Sequence, residues 1–302
     1  NGIYEVDFNI TMTLISSTTS VIYTNASTDP YSSGGFNGQL QSTLTSVIGE
    51  PNYDIGHLFA RASNNGNAGC IGCVCTNGSK GSAFTSGTVP EGDLFDVDYV
   101  CHEMGHQFGA NHTWTFGGNE GTNVQMEPGS GTTIMGYAGI TGPTTDVQPN
   151  SDPYFHAVSI EQITDYIKSR TCQTNTPSGN NVPTVNAGPN YTIPRGTPFI
   201  LDGTASDPDG DPLPYCWEQM DENTATPTLP SVSATSGVAF RSFSPSTSTQ
   251  RAFPALATVL SGSTATTWES VPNVGRTLNF RLTVRDNRAG GGTNESDNTL
   301  IT

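Results

Sequence analysis

The sequence has little positive charge. It contains 11 lysine and arginine residues against 27 aspartate and glutamate residues, a formal net charge of −16 at pH 7. Proteins bind nucleic acids and anionic membranes through clustered basic side chains. The excess of acidic residues therefore argues against both as partners. The sequence also has no apolar run near the roughly 20 residues that a membrane-spanning helix needs, so we expect no membrane span.

Charged residues of either sign are scarce as well. They make up 13% of the chain, and Gly, Ser, Thr and Asn fill the polar positions instead. This composition is typical of a soluble secreted protein that is rich in loops and strands. No signal peptide is present, so we expect a mature or trimmed form of a secreted protein, and we expect a monomer. A length of 302 residues predicts two domains or one large domain.

Cysteine is infrequent, but its number is even. The six cysteines are Cys70, Cys73, Cys75, Cys101, Cys172 and Cys216. An even number in a secreted chain predicts disulfide bonds, and Cys216 leaves a bridge between two domains open. The alternative is a zinc cluster formed by the first three cysteines. Their spacing does not match two paired C-x-x-C knuckles, so we favour disulfides.

A short motif near residue 100 carries the most chemistry. His102 and His106 stand four residues apart, so on a helix they share one face and can hold one metal ion. Glu103 lies a fraction of a turn away from that face, so it is better placed to hold a water molecule on the metal than to be a ligand. Gly109 can adopt a left-handed backbone that ends the helix and lets His112 return as a third ligand. Three histidines with one open position are typical of a catalytic zinc site.

The pentapeptide that begins at His102 also occurs by chance on polar helix faces, so alone it is a weak signal. Gly109 and His112 at fixed spacing make chance a poor explanation. Residues 133–137 (TIMGY) add a second element, which contains Met135. The pattern H-E-x-x-H-x-x-G-x-x-H followed by a methionine turn is the metzincin signature, so these residues resemble the metzincin clan of zinc peptidases.

Within that clan, residues 1–172 resemble the reprolysin-like bacterial zinc peptidases. Three segments carry the resemblance: residues 53–59 (YDIGHLF), 100–112 and 133–139 (TIMGYAG). The resemblance implies that His102, His106 and His112 bind one catalytic zinc ion and that Glu103 is the general base. It also implies a protein or peptide substrate.

The resemblance has further structural implications. Residues 70–75 are expected to form the edge strand on which a peptide substrate lies antiparallel, held by main-chain hydrogen bonds. A disulfide between Cys75 and Cys172 is expected by analogy. Members of this family usually begin with another strand and a long helix before the segment that matches residues 1–5. We therefore expect that this part is missing here or was cleaved off.

Thr113 and Tyr137 stand at positions where related families carry other residues or a residue with a known role. Reprolysins often have aspartate directly after the third histidine, whereas this chain has Thr113. Tyr137 follows Met135 by two residues, where the astacin and serralysin families carry a zinc-binding tyrosine. Tyr137 is therefore either close to the metal, as a fifth ligand or oxyanion donor, or packed beneath the site. Met135 is expected to pack under the histidine rings rather than to bind the metal.

The hydrophobic pattern of the first domain, residues 1–172, predicts an α/β fold. Alternating apolar residues predict a strand at 6–15, a helical stripe predicts a helix at 40–48, and a second strand is predicted at 53–60. A strand, a helix and a strand of these lengths form a βαβ unit, so we expect a mostly parallel twisted sheet beside the active-site helix. A capping box beginning at Ser159 predicts a last helix.

After a linker at residues 173–182, the character of the sequence changes. Short β-like runs alternate with turn residues over 183–302, which predicts an immunoglobulin-like β-sandwich with Trp217 as a core residue. The predicted strands are residues 191–193, 199–201, 215–217, 239–243 and 278–284. This second domain resembles bacterial PKD-like or cadherin-like modules.

The segment around residue 209 carries that second resemblance. Asp207, Asp209 and Asp211 alternate, so their carboxylates can point at one calcium ion, and Asp286 and Asp297 can complete the site. The alternative is a tight polar turn that binds nothing.

The function predicted from the sequence is a secreted zinc-dependent endopeptidase. Glu103 takes a proton from a zinc-activated water that attacks a peptide carbonyl, and then passes it to the leaving amine. His57 and His156 are expected to be structural, because three histidines already complete the ligand set. Asn111 lies in a glycosylation sequon beside His112, where a glycan would crowd the site, so we expect a bacterial source.

Two other functions compete with this interpretation. The chain could be a secreted adhesin or binding protein built on an inactive protease-like scaffold, but an intact Glu103 argues against loss of activity. A zinc amidase that acts on non-protein substrates is a further alternative within enzymes.

Overall fold

The computed structural model describes residues 1–25, 27–223 and 229–302. These residues form two compact units, each assembled from separate stretches of the chain. The smaller unit comprises Met12–Asn111 and Glu161–Thr176, and the larger unit comprises Asn1–Thr11, His112–Ile160 and Pro177–Thr302. The domain boundaries expected from the sequence, near residues 172 and 183, stay a prediction.

The smaller unit begins with helical segments. After a 3-10 turn at Thr18–Val21, helix α2 (Phe36–Thr43) runs directly into a π-helical turn at Leu44–Ile48. The helix predicted at 40–48 is therefore confirmed. Its apolar stripe packs against Tyr53, and the buried residues of this cluster are Leu40, Leu44, Ile48 and Tyr53 itself. Gly49 ends the helix with a positive φ of 84°, a conformation that glycine adopts without strain, and a 3-10 turn at Glu50–Asn52 follows.

The smaller unit contains a three-stranded sheet. Its strands are β1 (His57–Arg61), β2 (Asn65–Asn67) and β3 (Ala83–Gly87), in the order β1-β3-β2. The central strand β3 is buried along its whole length. It pairs in parallel with β1 and antiparallel with β2. The expected parallel pairing is thus present between β1 and β3, whereas β2 is an antiparallel edge strand.

The strand predicted at residues 6–15 is wrong. Helix α1 (Gly2–Phe8) occupies the start of this stretch and belongs to the larger unit. Tyr4 and Phe8 stand one helical turn apart, and both rings contact Phe155, at 5.4 and 5.1 Å between centroids. Aromatic packing at helical spacing therefore outweighs the alternating pattern. Without this strand, the predicted βαβ unit does not form.

Residues 70–75 do not form the edge strand that the resemblance implied. A disulfide between Cys70 and Cys73 closes a turn there, and Gly72 and Cys75 both have left-handed backbones, with φ of 72° and 67°. An extended strand cannot contain these angles. The antiparallel edge strand of this sheet is β2, a few residues earlier. The disulfides also rule out the alternative of a zinc cluster formed by these cysteines.

The second disulfide joins Cys75 to Cys172, as the resemblance implied. Cys101 and Cys216 are both buried thiols outside the two disulfides. The bridge between domains that Cys216 left open is therefore absent.

The helix that carries the histidine motif is continuous from residue 93 to residue 107. It consists of α3 (Asp93–Phe95), a π-helical segment (Asp96–Cys101) and α4 (His102–Gln107). Gly109, with a φ of 102°, follows the end of α4 as predicted. The left-handed residue lets the chain leave the helix axis sharply.

Helix α5 (Ala157–Lys168) begins two residues before the predicted cap. The Nδ1 atom of His156 accepts a hydrogen bond from the backbone N–H of Val158, and the carboxylate of Glu218 accepts one from Ala157. Ser159 lies inside the first turn and is fully buried. The capping box at Ser159 is therefore wrong, because side chains outside that pattern bind the first free N–H groups of the helix.

The C-terminal part of the larger unit contains small antiparallel sheets. Its elements are β4 (Thr184–Asn186), β5 (Phe199–Asp202), β6 (Thr204–Ser206), β7 (Tyr215–Gln219), β8 (Gln250–Phe253), α6 (Leu256–Leu260), β9 (Leu278–Arg285) and β10 (Asn294–Ile301). The strands pair as β10-β9-β7, β4-β6 and β5-β8, all antiparallel. Of the predicted strands, 199–201, 215–217 and 278–284 are confirmed. Residues 191–193 and 239–243 form only isolated bridges, at Tyr191 and Phe240.

An aromatic core holds this region together. Trp217 is 3% exposed and is part of it, which confirms its predicted role. The ring of Phe253 lies 5.2 Å from that of Phe240 and 4.6 Å from that of Phe280. Burial of these large aromatic side chains contributes strongly to the stability of this region. None of the described helices is long and apolar enough to cross a membrane.

Candidate metal centre and catalytic site

Two of the predicted zinc ligands lie on α4. His102 and His106 are 3% and 6% exposed, and their Nε2 atoms are 3.1 Å apart. The Nδ1 atom of His106 lies 2.7 Å from the carbonyl oxygen of Ala110, to which it can only donate. The Nε2 atom of a neutral His106 therefore carries the lone pair. Burial lowers the pKa of His106 to about 4, against the opposing effect of the Ala110 contact, so the ring is neutral at pH 7.

The third predicted ligand, His112, is held by a different set of contacts. Its Nδ1 atom lies 3.1 Å from the carboxylate of Glu120, so the ring donates there and leaves Nε2 with a lone pair. Its ring stacks on Trp114 and meets the edge of Tyr137, at 5.1 and 4.7 Å between centroids. Sequence reasoning missed Glu120, because an acidic residue in an irregular loop has no periodicity that marks it.

One nitrogen atom from each of His102, His106 and His112 lies within 4.8 Å of the other two. The chemistry of this donor set fits zinc, which prefers neutral imidazole nitrogen at about 2.0–2.1 Å. The rings of His106 and His112 also donate a hydrogen bond from Nδ1 to a protein oxygen. This outer contact fixes the tautomer and is common in histidines that bind metals. The structure therefore contains a histidine triad that could hold one metal ion.

Glu103 lies on α4 beside the first histidine and is 9% exposed. Burial raises the pKa of this carboxyl to about 7, and a hydrogen bond from the backbone of Ala68 partly opposes the shift. The edge strand β2 passes directly against it, since a Cβ atom on Gly66 would lie 2.5 Å from Oε1 of Glu103. A carboxyl group whose pKa lies near neutrality can both accept and release a proton.

The disulfide turn holds the C-terminal end of α4. The N–H of Gly72 donates to the carbonyl of His106 at 2.8 Å, and the N–H of Cys73 donates to that of Gln107 at 2.9 Å. The last carbonyls of a helix have no partner within the helix, so these bonds stabilise its end. Gly109 lies against the side chain of Tyr166, because a Cβ atom on Gly109 would lie 3.0 Å from Cβ and 3.1 Å from Cγ of Tyr166. Residues 70–75 thus support the ligand helix instead of forming an edge strand.

Met135 and Tyr137 lie in the predicted methionine turn. Met135 is fully buried, and its carbonyl oxygen accepts a hydrogen bond from the N–H of Thr113, the residue after His112. Tyr137 contacts the ring of His112, so it lies beside a predicted ligand. The roles expected for Met135 and Tyr137 stay predictions.

The predicted calcium ligands are only partly grouped. Carboxylate oxygens of Asp207, Asp209 and Asp211 lie within 4.8 Å of one another. Arg288 already contacts this cluster, with Nη1 3.0 Å from Asp209. Asp286 accepts hydrogen bonds from three neighbouring residues instead; they are Asn180, Arg288 and Thr293. A calcium site there stays a prediction.

Protein partners hold the two other histidines. The ring nitrogens of His57 lie 2.9 Å from Oε1 of Gln107 and 2.7 Å from Oγ1 of Thr85. Burial lowers the pKa of His57 to about 4. His156 is completely buried, with Nε2 3.7 Å from Oε1 of Glu218. These contacts agree with the structural role expected for both residues.

Comparison with known protein families gives one result. The family model described as metallo-peptidase family M12B, reprolysin-like, matches residues 1–167, more than half of the chain. Comparisons with curated proteins and with solved structures gave no significant match. The match includes the histidine triad, the glutamate beside it and the methionine turn. This chain therefore belongs to the reprolysin-like M12B family of metallopeptidases.

Proposed function

We propose that this protein is a zinc-dependent endopeptidase that hydrolyses peptide bonds of proteins. The observation that carries the proposal is the triad of His102, His106 and His112 beside the buried carboxyl of Glu103. Membership in a metallopeptidase family supports a protein or peptide substrate.

The chain's own residues supply the proton chemistry. When zinc is bound by the triad, it supplies Lewis-acid chemistry that polarises a peptide carbonyl and acidifies a water molecule. Glu103 takes a proton from the attacking water and gives it to the nitrogen of the leaving amine. Its pKa of about 7 in the metal-free protein, raised by burial, means that either protonation state is accessible near neutral pH. We assign to Tyr137 a hydrogen bond to the developing oxyanion, and the contact of its ring with that of His112 supports this role.

The edge strand β2 is the surface on which we place the substrate. It pairs with β3 on one side in the order β1-β3-β2, and no strand among the described residues pairs with its other edge. A peptide bound there forms main-chain hydrogen bonds, which give affinity without strong sequence preference. Gly66 of β2 already contacts Glu103, so the strand leads directly to the proposed base.

The location and the C-terminal region complete the proposal. Two disulfides support secretion, because such bonds persist in oxidising surroundings, and we retain a bacterial source as part of the proposal. The antiparallel sheets of residues 183–302 support an immunoglobulin-like sandwich of the PKD or cadherin type. Calcium binding by Asp207, Asp209 and Asp211 is the least supported part, since Arg288 already offsets some of their charge.

Calcium binding has a simple test. If the site exists, calcium should raise Tm in the wild type and not in Asp207→Asn. An identical Tm with and without calcium in the wild type would remove this part of the proposal.

The alternative from another class is a secreted binding protein on an inactive scaffold. The two functions differ in what happens to a bound protein. We would incubate the protein with casein and identify the products by mass spectrometry, before and after zinc is removed with a chelator and restored. Fragments from internal cleavage that disappear with the chelator and return with zinc support the endopeptidase. Zinc binding without any cleavage of casein or denatured protein would favour the binding protein.

A further inference from the structure

A buried carboxylate outside the zinc motif joins the third histidine to the methionine turn. Glu127 is 0% exposed, and its two oxygens accept five hydrogen bonds from three threonines. Oε2 accepts hydrogen bonds from the hydroxyls of Thr113 and Thr133, at 2.6 and 2.5 Å. Oε1 accepts the N–H groups of Thr132 and Thr133 and the hydroxyl of Thr132, at 2.9 to 3.2 Å.

The positions of these donors explain why the carboxylate matters. Thr113 directly follows His112, and Thr133 stands two residues before Met135. Two backbone hydrogen bonds run alongside, from the N–H of Glu127 to the carbonyl of Thr113 at 2.9 Å, and from the N–H of Thr113 to the carbonyl of Met135 at 3.1 Å. Glu127 thus holds the histidine segment and the methionine segment in one register.

The energetics favour a role in holding geometry. Removing a carboxylate from water is costly unless hydrogen bonds replace its hydration, and five donors do so here. A buried polar network in which every member is satisfied selects one arrangement, because alternatives leave a charge without donors. Exposure points the same way, since the side chain of His112 is 17% exposed, whereas His102 and His106 are 3% and 6% exposed as residues. The position of the His112 ring therefore depends more on the contacts that fix its backbone than the positions of His102 and His106 do.

We propose that Glu127 is a positioning residue that fixes the backbone of His112 through Thr113, and so sets the metal affinity of the triad. This proposal rests on the zinc site of the proposed function. Glu127 is not expected to touch zinc or substrate. Its effect should appear in how tightly zinc is held, even where the fold is retained.

Thr113→Val is the variant that carries the test. Valine has the shape of threonine without the hydroxyl, so it removes one hydrogen bond between Glu127 and the histidine segment. Glu127→Ala is less useful, because it would leave five buried donors without an acceptor and could prevent folding. The matched control is Thr299→Val in β10, since Thr299 is also 0% exposed and donates one hydrogen bond, to the carbonyl of Pro189 at 2.8 Å.

Glu127→Gln adds a rescue experiment. With its carbonyl oxygen in place of Oε1, glutamine still accepts from the two N–H groups. Its NH2 group then stands in place of Oε2, with two hydrogens for the hydroxyls of Thr113 and Thr133, which can accept as well as donate. We therefore expect this variant to keep zinc affinity within about threefold of the wild type.

The measurement is the zinc dissociation constant, obtained by competition with a chromogenic chelator, together with Tm for every variant. We expect Thr113→Val to bind zinc about 10 to 100 times more weakly than the wild type, the range typical for loss of an outer contact. We expect Thr113→Val and Thr299→Val to lower Tm by a similar few degrees. The zinc affinity of Thr299→Val should stay within about twofold of that of the wild type. If the wild type binds one zinc and both valine variants bind it equally well, the positioning role is wrong while the proposed function stands. A wild type that binds no zinc would overturn both.

Discussion

Gly66 and Glu103 are in direct contact. A Cβ atom on Gly66 would lie 2.5 Å from Oε1 and 2.7 Å from Cγ of Glu103, closer than non-bonded atoms approach. Any larger residue at position 66 must therefore displace the glutamate side chain or the strand. The edge strand β2 and the proposed base thus depend on each other, although they lie far apart in the sequence.

This contact predicts the effect of Gly66→Ala. The methyl group should move the Glu103 carboxylate, and a displacement of about 1 Å at a reacting group can lower activity by about 100-fold. Because Gly66 is only half-buried, we expect Tm to change by a few degrees at most. The measurement is kcat/KM on a fluorogenic peptide, with Tm as the check on folding.

Gly38→Ala is the matched control for that substitution. Gly38 lies in α2, and a Cβ atom added to it would have nothing within 4 Å, so alanine should raise stability by up to about 1 kcal/mol and leave activity unchanged. Equal kcat/KM for wild type and Gly66→Ala would show that the contact does not matter for catalysis.

The histidine motif was predictable because its geometry is local. Four-residue spacing places His102 and His106 on one helix face whatever the rest of the fold does, and a glycine after the helix allows the turn toward His112. Gly66, Glu120 and the other contacts of the site join separate segments. No periodicity marks such contacts in a single sequence.

The errors have equally specific causes. The segment after Tyr4 alternates like a strand, yet Tyr4 and Phe8 also fit a helix, and only the position of Phe155 decides between them. The family resemblance implied an edge strand at residues 70–75, but the disulfide between Cys70 and Cys73 closes a turn there. In the C-terminal region, the long strand β9 was predicted because its apolar and polar residues alternate over eight positions, whereas the three-residue strand β4 is too short to show a pattern.

The two disulfides should contribute unequally to stability. Cys75 and Cys172 are 97 residues apart, whereas Cys70 and Cys73 are 3 apart. If a disulfide stabilises by restricting the unfolded chain, replacing Cys75 and Cys172 with alanine should lower the unfolding free energy by about 4–5 kcal/mol. Replacing Cys70 and Cys73 with alanine should lower it by about 2 kcal/mol. Urea unfolding of the two double variants measures both costs. The reverse order would show that the effect arises in the folded state, at the end of α4.

The pKa of Glu103 predicts how the stability of the metal-free protein depends on pH. Burial raises this pKa from 4.5 to about 7, so between these values the folded state holds a proton that the unfolded state has released. The contribution of Glu103 to stability therefore falls as pH rises through this window. Glu103→Gln lacks this titration, so its advantage over the wild type should grow with pH, to an upper limit of about 3 kcal/mol.

The test of that prediction needs zinc to be absent. Urea unfolding in a chelator, at about pH 5 and about pH 8, gives the difference between the two proteins on both sides of the window. Groups other than Glu103 titrate in both proteins and cancel in the difference. A difference that is equal at the two pH values would contradict the raised pKa.

Two aspartate–arginine pairs should differ sharply in their importance. Asp7 of α1 and Arg285 of β9 are each 2% exposed and lie 2.6 Å apart. Asp7→Asn leaves a buried guanidinium without its counter-charge, and we expect a loss of about 3–5 kcal/mol in unfolding free energy. The pair of Asp209 with Arg288 is much more exposed, so Asp209→Asn should have little effect on the unfolding free energy. Equal losses in chemical denaturation would contradict the assigned burial of α1.

The measurement that tests the central claim most directly is hydrolysis of azocasein by the wild type and by Glu103→Ala, with the zinc content of both proteins determined. The triad does not include Glu103, so both proteins should retain about one zinc. Only the wild type should cleave, because Glu103 supplies the proton transfer. Cleavage by Glu103→Ala would contradict the role of this residue, and the absence of zinc from both proteins would contradict the metal site itself.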